Sequence, residues 1–272
     1  MRKTLLCFLL LIIGFILMGC NVTQTIYKGN GVLKTKELND FSKEEVYQLE
    51  IEKISLKNGS IKINFIEETD SIISIKTDEN VLDELDIQIK KNVIKIIGNK
   101  KHRYDVEEFT IDICNLKFDK LELEGAFNYT DEIGNYDSTL EINITGIFNA
   151  EINLENVIES LKLKADGIVN ADFQNLDVNE FNLHGNGTVN LESVGLADSL
   201  VIDANGIMNF NLKDFQVKIA SINMDGTMYS SFNITEELTI DVDGFGNIDY
   251  YGNPEVESLK INGLVNISNK AK

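Results

Sequence analysis

Few side chains in this 272-residue sequence could do covalent chemistry. Its thiols are Cys7, Cys20 and Cys114, and its imidazoles are His102 and His184. A catalytic thiol needs a base to ionise it. Cys114 has only His102 near it in sequence, and it ends the alternating run Phe109 to Cys114, a strand pattern in which it reads as a small buried residue. His184 falls on an outward position and reads as solvated. Asp and Glu number 44. Glycoside hydrolysis asks for two carboxylates at a set separation, and among so many acids some pair always meets it, so the count discriminates nothing. No glycine-rich phosphate loop, nucleophile elbow or metal-spaced Cys/His set is present. The expectation is a chain with no catalytic residues, no cofactor and no enzymatic role. A polysaccharide-active enzyme stands as the rival.

Cys20 has a different chemistry. Arg2 and Lys3 precede an unbroken apolar run from Leu5 to Met18, and the run ends in Leu17-Met18-Gly19-Cys20. A charged start, a short apolar stretch and small residues at a cut describe an export signal. The run is short for a membrane span, although an uncleaved anchor is the alternative. The ending resembles the bacterial lipobox, whose cysteine thiol receives diacylglycerol before cleavage; Met18 departs from the smaller residue usual there. Residues 1–20 are thus expected to be a lipoprotein signal peptide, with Cys20 the lipid attachment. The chain would be held to the membrane by acyl chains, outside the cytoplasm. Cys114 would then be the sole remaining thiol, and no intramolecular disulfide could form.

The elements that carry any surface chemistry are organised by glycine. Gly125, Gly146, Gly167, Gly187, Gly206, Gly226, Gly244 and Gly263 recur at spacings of 18 to 21 residues. Positions two and four before each, and two after, are apolar or glycine: Ile202, Ala204 and Met208 around Gly206, for example. A period near 20 with alternation inside it predicts an all-β stacked solenoid, about 20 residues per coil, whose even-offset positions face one interior. Volumes look compensated between columns, Ala204 against Phe210 and Gly185 against Leu191. The glycine has inward parity and is expected at a corner that excludes a side chain or needs positive φ. This regular array spans 118–268.

Upstream the pattern is less regular. Residues 21–45 read as a polar tether and first strand. Residues 46–117 read as an irregular β N-terminal cap with the first coils, since an array end must be covered. Within the cap, Asn58-Gly59 marks a turn, Lys91-Asn92 a hairpin, and Val81, Leu82 and Leu85 a helical turn. Gly98 to Glu108 is mostly charged and reads as a loop. The net charge of −19 repels phosphate backbones and argues against nucleic acid.

Four stretches carry a family resemblance. They are Gly29-Asn30-Gly31-Val32 leading to Phe41; Leu56-Lys57-Asn58-Gly59-Ser60-Ile61; Asp78-Glu79-Asn80-Val81-Leu82 with Ile87-Gln88-Ile89; and Asp243 through Pro254, a Gly-x-Gly followed by a short strand and Gly-x-Pro. Together they resemble the auto-transporter adhesin, head GIN domain family, over about residues 27–268. The resemblance implies a right-handed parallel β-helix-like fold in exported, often lipid-anchored envelope proteins. It brings no catalytic residue and no ligand.

Two outward columns remain as candidate sites. Three after each glycine stands Asn128, Asn149, Asn170, Asn190, Asn209, Tyr229, Asn247 or Asn266. One before stands Glu124, Thr145, Asp166, Asn186, Asn205, Asp225, Asp243 or Asn262. The structural reading is turn chemistry or a stacked amide ladder. The functional reading is a strip that binds a partner, or calcium at Asp225 and Asp243, one coil apart. Calcium needs six to eight oxygens, and none are seen to converge. The chain is therefore expected to be a surface-exposed adhesion or binding module for an envelope or extracellular protein or glycan. A purely structural envelope component is the alternative.

Overall fold

The computed structural model describes residues 24–42, 45–67, 72–154 and 157–270. Cys7, Cys20 and the rest of the expected signal lie outside the described residues. The fold is all-β, and among the described residues there is no closed barrel. Strands β1 (Thr25–Lys28), β2 (Leu33–Leu38), β3 (Val46–Glu52), β4 (Ile61–Ile66) and β5 (Ile73–Asp78) lead to the short helix α1 (Glu79–Leu82). Strands β6 (Asp86–Lys90), β7 (Val93–Ile97), β8 (His102–Asp105) and β9 (Thr110–Cys114) complete the irregular part. The regular part is β10 (Lys117–Asp131), β11 (Tyr136–Asn153), β12 (Ile158–Tyr251) and β13 (Glu255–Asn269).

From β10 onward the pairing is parallel and the register follows the glycines. Leu121 pairs with Ile142, Gly125 with Gly146 and Phe127 with Phe148. Ile142 then pairs with Leu163 and Gly146 with Gly167. At the far end Ile240 pairs with Leu259 and Gly244 with Gly263. Like residues therefore stack on like. The apolar columns close over one another: Leu121, Phe127, Ile142, Phe148 and Leu163 are all fully buried. Slipping a strand by one residue would turn every one of them to water, which is what holds the register. The layer before β10 is shared by two strands, β3 opposite Lys117 to Leu123 and β4 opposite Phe127 to Asp131.

The glycine column is where the chain bends. Gly146 has φ +128°, and a Cβ there would lie 2.1 Å from the carbonyl oxygen of Gly125. Gly206 repeats this over Gly187, with φ +125° and the same 2.1 Å. An L-residue is excluded twice, by its torsion and by the backbone of the preceding repeat. Gly185 differs. The Met208 Cε atom, one repeat on, is 3.0 Å from where its Cβ would be. Met208 and Val189 fill that space, so the compensation expected from Leu191 comes from other residues.

Two expectations are corrected. Gly98 to Glu108 contains β8, which pairs in parallel with β1, four residues of the stretch read as a polar tether. The cause is tertiary. Tyr104 is fully buried and its hydroxyl accepts the Asn99 N–H at 2.9 Å, while Tyr27 stacks on His102 at 4.8 Å. Burial pushes the Tyr104 phenol up to about 12. The second correction concerns the last repeat. Leu259 and Ile261 have the inward parity but are 50% and 41% exposed. They lie on β13, the outermost strand, and among the described residues nothing packs beyond it. Gly29-Asn30-Gly31, which follows β1, is a clamped turn. Asp78 Oδ1 accepts the Gly31 N–H at 2.6 Å, and Asn80 Oδ1 accepts the Asn30 N–H at 2.9 Å. Two of the stretches that carried the family resemblance are thereby in contact.

Candidate binding groove

Outward side chains hydrogen-bond to the residue one repeat away, and the Asn column does so most regularly. Asn149 Nδ2 donates to Asn128 Oδ1 at 3.1 Å, Asn170 to Asn149 at 2.7 Å, Asn190 to Asn170 at 2.6 Å and Asn209 to Asn190 at 2.7 Å. None of these residues has positive φ. Of the two structural explanations, the ladder therefore holds and the strained corner does not; the corner belongs to the glycine three positions earlier. Parallel in-register stacking brings identical amides to hydrogen-bond distance, which is why asparagine recurs.

The ladder forms one side of a groove of about 720 Å³ running along the array. It begins at Asn128 and ends at Tyr229, where the aromatic ring replaces the amide and is 52% exposed. Six repeats at the usual strand separation make it ~24 Å long. Its other side is a second outward column, five after each glycine, which includes Glu151, Asp172, Glu192 and Asn211. Asn211 Nδ2 donates to Glu192 Oε1 at 2.8 Å, and Gln174 donates to Asp172. No lining residue is basic. Sequence reading missed the carboxylate column and the significance of Tyr229. The signal was present, since both fall at fixed offsets from the glycines, but the acids were lost among the other carboxylates.

Below one end of the groove lies a buried acid. Asp131 is 1% exposed, and its Oδ1 accepts the Ile133 and Gly134 N–H groups, both at 2.9 Å. Burial raises its pKa above the ordinary carboxylate value, against the Tyr136 hydroxyl and those two backbone bonds, which lower it. The Tyr129 and Tyr136 hydroxyls beside it are 2.5 Å apart, and burial raises both phenols well above their ordinary value.

The other candidates are dispersed. Asp225 and Asp243 are exposed, and Asp243 Oδ2 accepts from Asn262 Nδ2 at 2.8 Å. Among the described residues no three His, Cys, Asp or Glu side chains converge on a point that would hold a metal. Cys114 is buried, and its Sγ lies 3.2 Å from the Glu67 carbonyl oxygen. His184 is 64% exposed, 3.4 Å from Asp203. His102 faces Glu84 at 2.7 Å, away from Cys114. No thiol–imidazole pair is assembled among the described residues.

Solved structures share the fold. One is a putative lipid binding protein from Parabacteroides distasonis, TM-score 0.71 and 18% identity, covering 90% of this chain and 99% of that one. Another is a putative adhesin from Parabacteroides merdae, TM-score 0.62 and 20% identity, covering 90% and 98%. A third is a putative adhesin from Bacteroides fragilis, TM-score 0.62 and 18% identity, covering 89% and 99%. No curated protein matches the chain. The family model described as putative auto-transporter adhesin, head GIN domain, matches residues 50–254, from the first parallel layer through the Gly-x-Pro that follows β12, and the chain belongs to that family.

Proposed function

We propose that this chain is a lipid-anchored surface protein that uses the groove as a non-catalytic adhesion or binding face. The observation that carries the reading is coincidence of extent: the adhesin-family match over residues 50–254 contains the whole groove, Asn128 to Tyr229. Parallel registers between residues 18 to 21 apart support reading the array as a solenoid with about 20 residues per coil, and its right-handed turn is what the family resemblance implies. Such an array is a rigid presenter, because each repeat is held on both edges. Attachment through acyl chains on Cys20 would set it outside the cytoplasm. Among the described residues no helix is long and apolar enough to cross a membrane. Amide and carboxylate columns flank a floor of Tyr129, Ala150, Ala171, Leu191 and Phe210, each nearly buried, so a partner entering the groove meets polar side chains first, which favours a polar partner over lipid.

Two measurements test this. Radiolabelled palmitate should enter the wild type and not Cys20→Ser; equal labelling removes the anchor. Beads coated with the protein should adhere to envelope and matrix preparations. Adherence no greater than that of uncoated beads would leave a purely structural envelope component.

A further inference from the structure

The Asn ladder leaves hydrogen-bonding capacity unspent. Each amide carries two N–H donors and an oxygen with two lone pairs. A ladder bond uses one donor and one lone pair per residue. Asn149, Asn170 and Asn190 therefore each keep one donor and one acceptor, repeated along the groove at the strand spacing of ~4.8 Å. This is a row of paired donor and acceptor with a fixed pitch. A hydroxyl, which both donates and accepts, matches it one for one. An extended 1,4-linked glycan advances about the same distance per sugar.

The remaining features of the groove narrow the partner. Glu151, Asp172 and Glu192 line it without any basic residue, so polyphosphates and sulfated chains are repelled. A carboxylate is an acceptor well suited to sugar hydroxyls. Tyr229 closes the ladder with a half-exposed ring, a platform for the C–H face of a sugar. Beyond it Tyr229 also borders a second hollow with the 58% exposed Phe245. A basic peptide would satisfy the carboxylates, but its backbone repeats at 3.2–3.4 Å per residue and falls out of step with the amides.

We propose that the groove binds a linear, uncharged polysaccharide lying along the array axis, its hydroxyls on the Asn128–Asn209 ladder and one sugar on Tyr229. The proposal rests on the binding-module reading above and adds the partner's chemistry. The test titrates the full chain in detergent with a panel of neutral hexaoses, 1,4- and 1,3-linked glucose, mannose and xylose. Polylysine and polyphosphate are the charged comparisons. At least one neutral hexaose should bind saturably. Tyr229→Ala should weaken it about tenfold while the melting curve stays unchanged. The triple neutralisation Glu151→Gln, Asp172→Asn, Glu192→Gln should weaken neutral-glycan binding about three- to tenfold without abolishing it, because each amide oxygen still accepts from a hydroxyl, though less strongly than a carboxylate. Three results overturn the proposal: no hexaose binding, hexaose binding indifferent to Tyr229, or polylysine binding alone, abolished by the triple change. Adherence of coated beads that persists without hexaose binding sinks this inference and leaves the binding module standing. Loss of both sinks the module itself.

Discussion

Replacing one glycine of the bending column by alanine isolates the effect that aligns the array. Gly206→Ala adds a single methyl group. Its Cβ would lie 2.1 Å from the Gly187 carbonyl oxygen, at φ +125°. The torsion alone costs on the order of 1–3 kcal/mol for an L-residue. Ordinary carbon–oxygen contact is more than 1 Å longer than that approach, and the atom struck is backbone. Relief requires the two repeats to separate locally, which stretches ladder hydrogen bonds worth about 1 kcal/mol each. The total is roughly 4 kcal/mol or more, among the larger effects of single changes. Gly59→Ala is the control, with φ +75° and nothing within 4 Å of its Cβ position. It should cost only the left-handed torsion, about 1–2 kcal/mol. Urea unfolding of both variants, followed by circular dichroism, measures the difference. If the two midpoints fall by the same amount, the close approach is not what the glycine column serves.

Other outcomes follow from buried columns, the ladder and the buried acid. Ile202→Ala should lose on the order of 2–5 kcal/mol in the same unfolding assay, because Ile202 is 1% exposed in an apolar column; a shift under half that range would mean the column repacks. Asn209→Ala should lose about 1 kcal/mol for its ladder bond, and Asn209→Gly more, since glycine adds strand entropy; a glycine variant as stable as wild type would restore the strained-corner explanation. Asp131 has a folded-state pKa raised above its unfolded one, so the folded state holds the proton more tightly and stability falls as pH rises through the folded value. Asp131→Asn keeps an oxygen for the Ile133 and Gly134 N–H groups and removes the buried charge. Its melting temperature at pH 7 should equal or exceed the wild type's, with the gap closing below about pH 4, near the unfolded carboxyl value; a variant weaker at pH 7 would show that the charged form is the stabilised one.

The parts of the fold legible in the sequence are those with a local repeat. Gly125 to Gly263 and their even-offset neighbours announce stacking, because the same layer contact recurs and selects the same residue type each time. The Asn column was legible for the same reason, though as a ladder or a turn corner alike; the hydrogen bonds decide for the ladder. What escaped depends on contacts far apart in the chain. β1 and β8 are polar strands nearly eighty residues apart, joined around Tyr27, His102 and Tyr104. Leu259 and Ile261 have the alternation of buried residues, and only the lack of a following layer exposes them. The two columns of the groove stand two residues apart on one strand face, as alternation requires, but Glu151, Asp172 and Glu192 look like any other acids until the amides beside them are seen to stack into a ladder.

The registers also bear on how the chain comes together. Leu121 meets Leu49, 72 residues earlier, across the irregular strands, but it meets Ile142 after only 21. Closure entropy rises with the logarithm of loop length, so the first junction costs roughly 1 kcal/mol more than each later one. Past that junction every layer closes a loop of nearly the same size onto an edge of nearly the same sequence. Addition of a layer is then a zipper step whose cost does not grow with the layers already in place. The height of the molecule, and with it the number of amides in the ladder, is set by how many periods are written into the chain rather than by any closure of the fold.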